Sequence, residues 1–217
     1  MRRRAVFLDR DGTLVHPRHY PARPADLELY HGIGPELRRL QRAGFQLIVI
    51  TNQSGIARGL FTERDLEVMH AHLRRQLARS GVRLDAIYHC PHHPDGLIPE
   101  LSFRCECRKP EAGMLLRASE ELAIDCSRSW LIGDILDDVQ AGHSVGCRTV
   151  LVDLRSEPLP DRPERHPDFV ARNTMHALRI VAVQEGLLRE TELDYRPARW
   201  LSQTGSMETV GGLHGVA

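Results

Sequence analysis

The chain reads as an α/β protein built on a parallel, Rossmann-like sheet, and three observations support that class. Short apolar runs at 5–8, 46–51, 86–89, 129–132 and 149–152 have the length and continuous hydrophobicity of strands buried on both faces. Segments with helical spacing alternate with them, the order that crossover connections impose. Three of the runs open into polar groups, Asp9, Thr51 and Asp134, and open parallel sheets bind ligands beyond their strands' carboxyl ends.

The first helix is expected after Gly34, with Pro35 at its first position, where a missing N–H costs nothing. A second should cover 62–79: Thr62 and Asp65 fit a capping pair, and Leu66, Met69, Leu73 and Leu77 recur at helical spacing as its buried stripe. A third spans roughly 111–122, and shorter ones follow Asp137 and Thr174. Loops of about twenty residues join Asp11 to the first helix and His89 to Arg108; structureless stretches of that length usually carry function. Neither is long enough for an inserted cap domain, so these loops are expected to wall the site themselves. The folded unit is expected to span 1–184. Residues 185–217, increasingly polar and closing on Gly211, Gly212, Leu213, His214 and Gly215, are expected to form a flexible tail.

At 217 residues the chain is ample for one domain with a substantial core. Its 29 acidic and 29 basic residues cancel, so no global field draws it to nucleic acid or to an anionic membrane. No apolar stretch approaches a membrane span and no signal-peptide core follows the arginines at 2–4. The expectation is a cytoplasmic monomer whose partner is a small molecule.

The chemistry begins where the first strand ends, in Phe7, Leu8, Asp9, Arg10, Asp11, Gly12, Thr13 and Leu14. On extended chain residues i and i+2 project the same way, so Asp9 and Asp11 can address one substrate atom or one cation. An ionised aspartate can attack phosphorus directly when a cation offsets the repulsion between anions, while the second carboxyl moves protons. An Asp-x-Asp-Gly tetrapeptide alone is more often a solvated turn, so the distant residues decide. Lys109 weighs heavily among them, because it is the only lysine among 29 basic residues. A chain that uses arginine everywhere else keeps lysine where a compact ammonium does what a planar guanidinium cannot.

Five cysteines are an odd number, and Cys90, Cys105 and Cys107 crowd into eighteen residues, a pattern of metal binding rather than disulfides. Cys126 and Cys147 stand apart and are expected to be free. Cys90 with His92 or His93, then Cys105 and Cys107 after a short loop, offer four ligands suited to tetrahedral, structural zinc. One-residue spacings on extended chain turn both members of a pair to one face. Spacing leaves His92 and His93 as rivals.

Taken in order, these segments resemble the haloacid dehalogenase (HAD) superfamily of aspartate-nucleophile phosphatases. The run to Asp9 and Asp11 resembles motif I, the strand ending in Thr51 and Asn52 motif II, Arg108-Lys109-Pro110 motif III, and Trp130 to Asp138 motif IV. The resemblance covers roughly residues 4–184. Within the superfamily, Cys-Pro-His-His-Pro, Cys-x-Cys-Arg-Lys-Pro and the segment 51–59 resemble the D-glycero-D-manno-heptose 1,7-bisphosphate 7-phosphatases, with the histidinol-phosphate phosphatases as the related alternative. A non-catalytic phosphate-binding protein on the same scaffold is the reading from another class, disfavoured by the intact Asp9, Asp11, Lys109 and Asp134.

The resemblance implies a capless fold with a zinc loop, a sugar phosphate as substrate, and Mg2+ and Zn2+ as cofactors. It makes Asp9 the nucleophile and a magnesium ligand, Asp11 the acid/base and a carbonyl ligand to magnesium, and Asp134 a further ligand. Thr51, Asn52 and Lys109 would hold the transferring phosphate, and Gln53, Ser54, Arg58 and Arg108 would contact substrate. It selects Cys90, His92, Cys105 and Cys107 for zinc. Ile135 departs from the pattern, which has lysine after the motif IV aspartate.

Overall fold

The computed structural model describes residues 2–193. Six parallel strands form one sheet: β1 (Arg4–Leu8), β2 (Phe45–Asn52), β3 (Ala86–Cys90), β4 (Trp130–Gly133), β5 (Arg148–Val152) and β6 (Phe169–Ala171), in the order β3-β2-β1-β4-β5-β6. The chain grows outward from β1 on both sides, so the strand order reverses between β1 and β4. Crossover helices diverge at such a point and leave a crevice at the carboxyl ends.

Side-chain alternation along each strand separates two apolar layers. Val6 and Leu8, Leu47 and Val49, Trp130 and Ile132 face α1 (Ile33–Arg42), α2 (Glu63–Arg79) and α5 (Thr174–Gln184). Ala5 and Phe7, Ile48 and Ile50, and Leu131 face α3 (Gly113–Glu121) and α4 (Leu136–Ser144). The α2 stripe Leu66, Met69, Leu73 and Leu77 is buried throughout, and each such side chain contributes about 1.5–3 kcal/mol. Thr62 and Asp65 cap this helix reciprocally, the Asp65 carboxylate accepting from the Thr62 N–H at 2.8 Å.

The structure corrects several boundaries. β6 was not expected as a strand; it pairs with β5 over only three residues. α1 starts at Ile33 after Gly32, which turns the chain at φ 79°, so Pro35 is its third residue. That is still harmless, since the first four N–H groups of a helix have no partner within it. α3 is shorter than expected at both ends, and α4 begins at Leu136, placing Asp137 and Asp138 in its first turn. The chain also stays docked beyond 184. Glu185 accepts from Arg4 at 2.7 Å and from the Trp130 indole at 2.9 Å, and Leu187, Leu188 and Leu193 pack on the core. The remainder of the expected tail, 194–217, lies outside the described residues. Among the described residues no helix is long and apolar enough to cross a membrane.

A small polar latch holds β6 in place. Asp168 accepts from the Thr149 backbone at 2.7 Å and faces His143 of α4 at 3.1 Å, while the other ring nitrogen of His143 lies 3.1 Å from the Glu164 carbonyl. The Asp168 contact raises the His143 pKa against the opposing effect of burial. A histidine whose folded pKa is raised adds stability that is complete below its unfolded value, about 6.5, and is lost as pH climbs through the folded value. His143→Gln should therefore lower the melting temperature more at pH 5.5 than at pH 8.5. Equal losses at the two pH values in thermal denaturation would show that the charge plays no part.

Candidate active site

The carboxyl ends of β1, β2 and β4 bring the sequence-derived residues together. Asp9 follows β1 directly, and its N–H bonds the Ile132 carbonyl of β4 at 2.9 Å. Gly12 turns the chain at φ +83°, and a Cβ there would overlap the Asp134 carboxylate; a Cβ on Gly133 would overlap Asp138. Two glycines thus leave room for three carboxylates. Asp9, Asp134 and Asp138 each offer an oxygen within 4.8 Å of the others.

Lys109 lies across this cluster with 2% of its surface exposed. Its ammonium donates to Asp9 Oδ1 at 2.6 Å, Asp138 Oδ1 at 2.5 Å and the Ile50 carbonyl of β2 at 3.1 Å. Burial alone would lower its pKa, but the two aspartates outweigh burial and raise it, so it stays charged. Burial raises the Asp9 carboxyl, with Lys109 opposing and Asp138 adding. Asp134 is raised by burial and then by repulsion from Asp9 and Asp138. With all three carboxylates ionised, one ammonium would leave two negative charges in excess, and the upward shifts of Asp9 and Asp134 express burial together with that imbalance. The hard oxygen donors and that excess fit a divalent cation such as magnesium.

Asp138 is the member of this cluster that the sequence did not single out. Its backbone N–H reaches the Ile135 carbonyl at 3.1 Å, and its carboxylate accepts from the Ile135 N–H at 3.3 Å, which fixes the start of α4 and aims the other oxygen at Lys109. Ile135 therefore serves as the helix cap, with no cation in its side chain.

Asn52 and Gln53, expected to contact the phosphate and the substrate, both line the cleft beside the carboxylates, and their amides bond within the protein. The Asn52 amide grips the Lys109 backbone at both its N–H and its carbonyl, each at 3.1 Å. Gln53 is 3% exposed and donates to Thr51 Oγ1 at 2.8 Å and to Asp11 Oδ2 at 3.0 Å. Thr51 thus receives a hydrogen bond and keeps its own hydroxyl proton to give. Beside these groups opens a cleft of about 240 Å³ lined by Asp11, Arg18, Tyr20, Ser54 and Phe61, its walls drawn from the loops after β1 and β2. Arg58 sits nearby, its guanidinium 5.9 Å from the Tyr20 ring centre and 3.2 Å from His93, while its buried Nε has no hydrogen-bond partner among the described residues. Arg108 reaches the His92 carbonyl at 3.5 Å.

The second cluster lies at the end of β3. Cys90, His92 Nδ1, Cys105 and Cys107 close on one another, with Cys107 Sγ 3.2 Å from Cys90 Sγ, 3.3 Å from Cys105 Sγ and 3.3 Å from His92 Nδ1. The structure resolves the histidine rivalry, since His93 points to Arg58 instead. Burial raises the Cys90 and Cys107 thiols, which a coordinated metal would reverse by taking the thiolate. Three sulfurs and one imidazole nitrogen in a closed set suit structural zinc.

Comparison with known proteins agrees with this geometry. The HAD-hydrolase-like family model matches residues 106–177. The D-glycero-β-D-manno-heptose-1,7-bisphosphate 7-phosphatases of Yersinia pestis and Escherichia coli K12 are each 42% identical over 166 residues, covering 76% of this chain and 88% and 87% of theirs. The chain belongs to that family. Its fold is likewise that of a D,D-heptose 1,7-bisphosphate phosphatase from B. bronchiseptica, solved with magnesium and phosphate, at a TM-score of 0.71 and 30% identity, over 84% of this chain and 99% of that one. Membership makes it a HAD phosphomonoester hydrolase, and Asp9, Asp134, Asp138 and Lys109 converge at the carboxyl ends of its central strands.

Because Lys109 follows Cys107 by two residues, the zinc cage and the phosphate site share one stretch of backbone. Metal analysis of protein purified without added metal should find one zinc per chain. Cys107→Ala should reduce it, lower the melting temperature and weaken inorganic phosphate binding through the displaced Arg108–Lys109 segment. A zinc-free protein with full activity would remove the assignment.

Proposed function

We propose that the protein removes the C7 phosphate of D-glycero-β-D-manno-heptose 1,7-bisphosphate through an aspartyl-phosphate on Asp9. The observation that carries this is the ammonium of Lys109 held between Asp9 and Asp138, at the tip of the strand that presents Asp11. Asp9 attacks phosphorus, and Lys109, whose three N–H groups all have partners, turns one of them to the incoming phosphoryl oxygens. The Thr51 hydroxyl gives its free proton to another oxygen. Asp11 protonates the departing sugar oxygen and then takes a proton from the water that cleaves the intermediate. Asp9, Asp134 and the Asp11 carbonyl are the residues that would hold magnesium, with Asp138 beside them. When bound, that ion supplies neutralisation of the phosphoryl charge. Reduced zinc-ligand thiols suit a cytoplasmic setting.

The sugar's second phosphate asks for cations outside this cluster. Arg58 and Arg108 stand on the loops after β2 and β3, both close enough to His93 to join burial in lowering its pKa, and guanidinium forks bind phosphate bidentately. The curated relatives are named for the β anomer, which is the anomer proposed here.

Asp9→Asn should lose activity by several orders of magnitude while keeping its fold, because an amide is no nucleophile. Near-normal turnover by the folded variant would remove Asp9 from the chemistry. In steady-state assays the β bisphosphate should be cleaved with kcat/KM at least ~100-fold above histidinol phosphate, about 2.7 kcal/mol of transition-state discrimination. Arg58→Ala should erode that ratio more than it slows a small monophosphate. Equal or better turnover of histidinol phosphate would defeat the heptose assignment and leave the phosphatase standing.

A further inference from the structure

Arg10 lies between the two carboxylates of the β1 tip and is completely buried. A buried guanidinium is costly unless its N–H groups are paired, and here each arm has a partner. Nε lies 3.2 and 3.1 Å from the two Asp11 oxygens, and Nη2 donates to Asp11 Oδ2 at 2.8 Å and to Gln53 Oε1 at 2.9 Å. Nη1 faces His70 Nε2 at 3.4 Å. Burial and then the Arg10 charge push the His70 pKa down to about 3, so the ring is neutral and can accept. Gln53 closes the circuit, its amide on Asp11 Oδ2 at 3.0 Å and on Thr51 Oγ1 at 2.8 Å.

Arg10 has no surface in the cleft, whereas the Asp11 side chain is 25% exposed and lines it. Arg10 therefore cannot bind a phosphate, yet its fork and Gln53 leave Asp11 little freedom to rotate. Guanidinium forks match a carboxylate rather than a neutral carboxyl. The clamp is thus shaped for the form Asp11 holds between the two halves of the reaction.

We propose that Arg10, acting with Gln53, is the positioning residue for proton transfer by Asp11. The proposal rests on the phosphatase reading above. As the Asp9 oxygen–phosphorus bond forms and the bond from phosphorus to the leaving oxygen breaks, the Asp11 carboxyl proton passes to that oxygen, and the clamp receives the resulting carboxylate. In the second half a water proton returns to Asp11, the water oxygen bonds phosphorus, and the Asp9 carboxylate departs.

Leaving groups of different basicity test this without reference to the sugar. The value of kcat/KM covers the steps up to leaving-group departure. A primary alkyl phosphate, whose alcohol has a pKa of ~15, needs the proton; p-nitrophenyl phosphate, with a leaving group near ~7, hardly does. Arg10→Met should lower kcat/KM for the alkyl ester by ~100-fold and for the nitrophenyl ester by less than ~5-fold, and Arg10→Lys should fall between parent and Arg10→Met on the alkyl ester. Should Arg10→Met fail to fold by thermal denaturation, Arg10→Gln keeps a polar side chain between Asp11 and Gln53 without the guanidinium fork and should give the same split. Equal losses on the two esters in a folded variant would overturn the proposal and leave Arg10 a packing residue. An unmutated protein that hydrolyses neither ester would overturn the phosphatase reading itself, and this inference with it.

Discussion

The contact on which the rest of the site depends is the buried ammonium of Lys109, shared between two aspartates and a strand carbonyl. Its partners come from three places: the end of β1, the first turn of α4, and the backbone of β2. One small nitrogen directs three N–H groups into a cone, and the partners occupy that cone. A guanidinium, flat and larger, could not converge on them. Removing one partner of such a buried pair typically costs 3–5 kcal/mol, because the other charge stays buried and uncompensated. The sheet's central crevice is therefore held together by charges that meet at its floor.

Those charges do not balance by themselves. The fold places three carboxylates around one ammonium and secures the arrangement with local devices: the Gly12 and Gly133 gaps, the Asp138 cap on α4, and the Asn52 grip on the Lys109 backbone. Each device works at the end of a different strand or helix, and together they make the crevice receptive to a cation and then to a phosphate. Next to it stands a second, closed ion pair, Arg10 with Asp11, whose fork holds the Asp11 carboxylate apart from the three clustered around Lys109.

Much of this was legible before the structure. Continuous apolar runs betray strands buried on both faces, so five of the six strands and their terminal Asp9, Thr51 and Asp134 could be read directly. β6 escaped because Phe169–Ala171 is three residues long, with only Ala171 buried, and follows a polar stretch. Asp138 escaped because its function depends on a helix turn bringing it back toward the strand tip, which strand-tip reasoning does not reveal. Side-chain direction was the other gap. Asn52 and Gln53 line the cleft, and sequence position could not show that their amides also bond the Lys109 backbone and Asp11. Nor could spacing separate His92 from His93, a distinction made by which ring nitrogen meets the three thiols.

One consequence follows from a chain of 217 residues whose single lysine is buried in its active site. Acetyl and other acyl donors, aldehydes and amine-directed crosslinkers find no lysine amine on this protein's surface. A lysine-specific endoprotease fares no better on the folded chain, because the one residue it would recognise is buried. Within these 217 residues a lysine-directed reagent must therefore reach the buried ammonium between Asp9 and Asp138 or find no lysine at all.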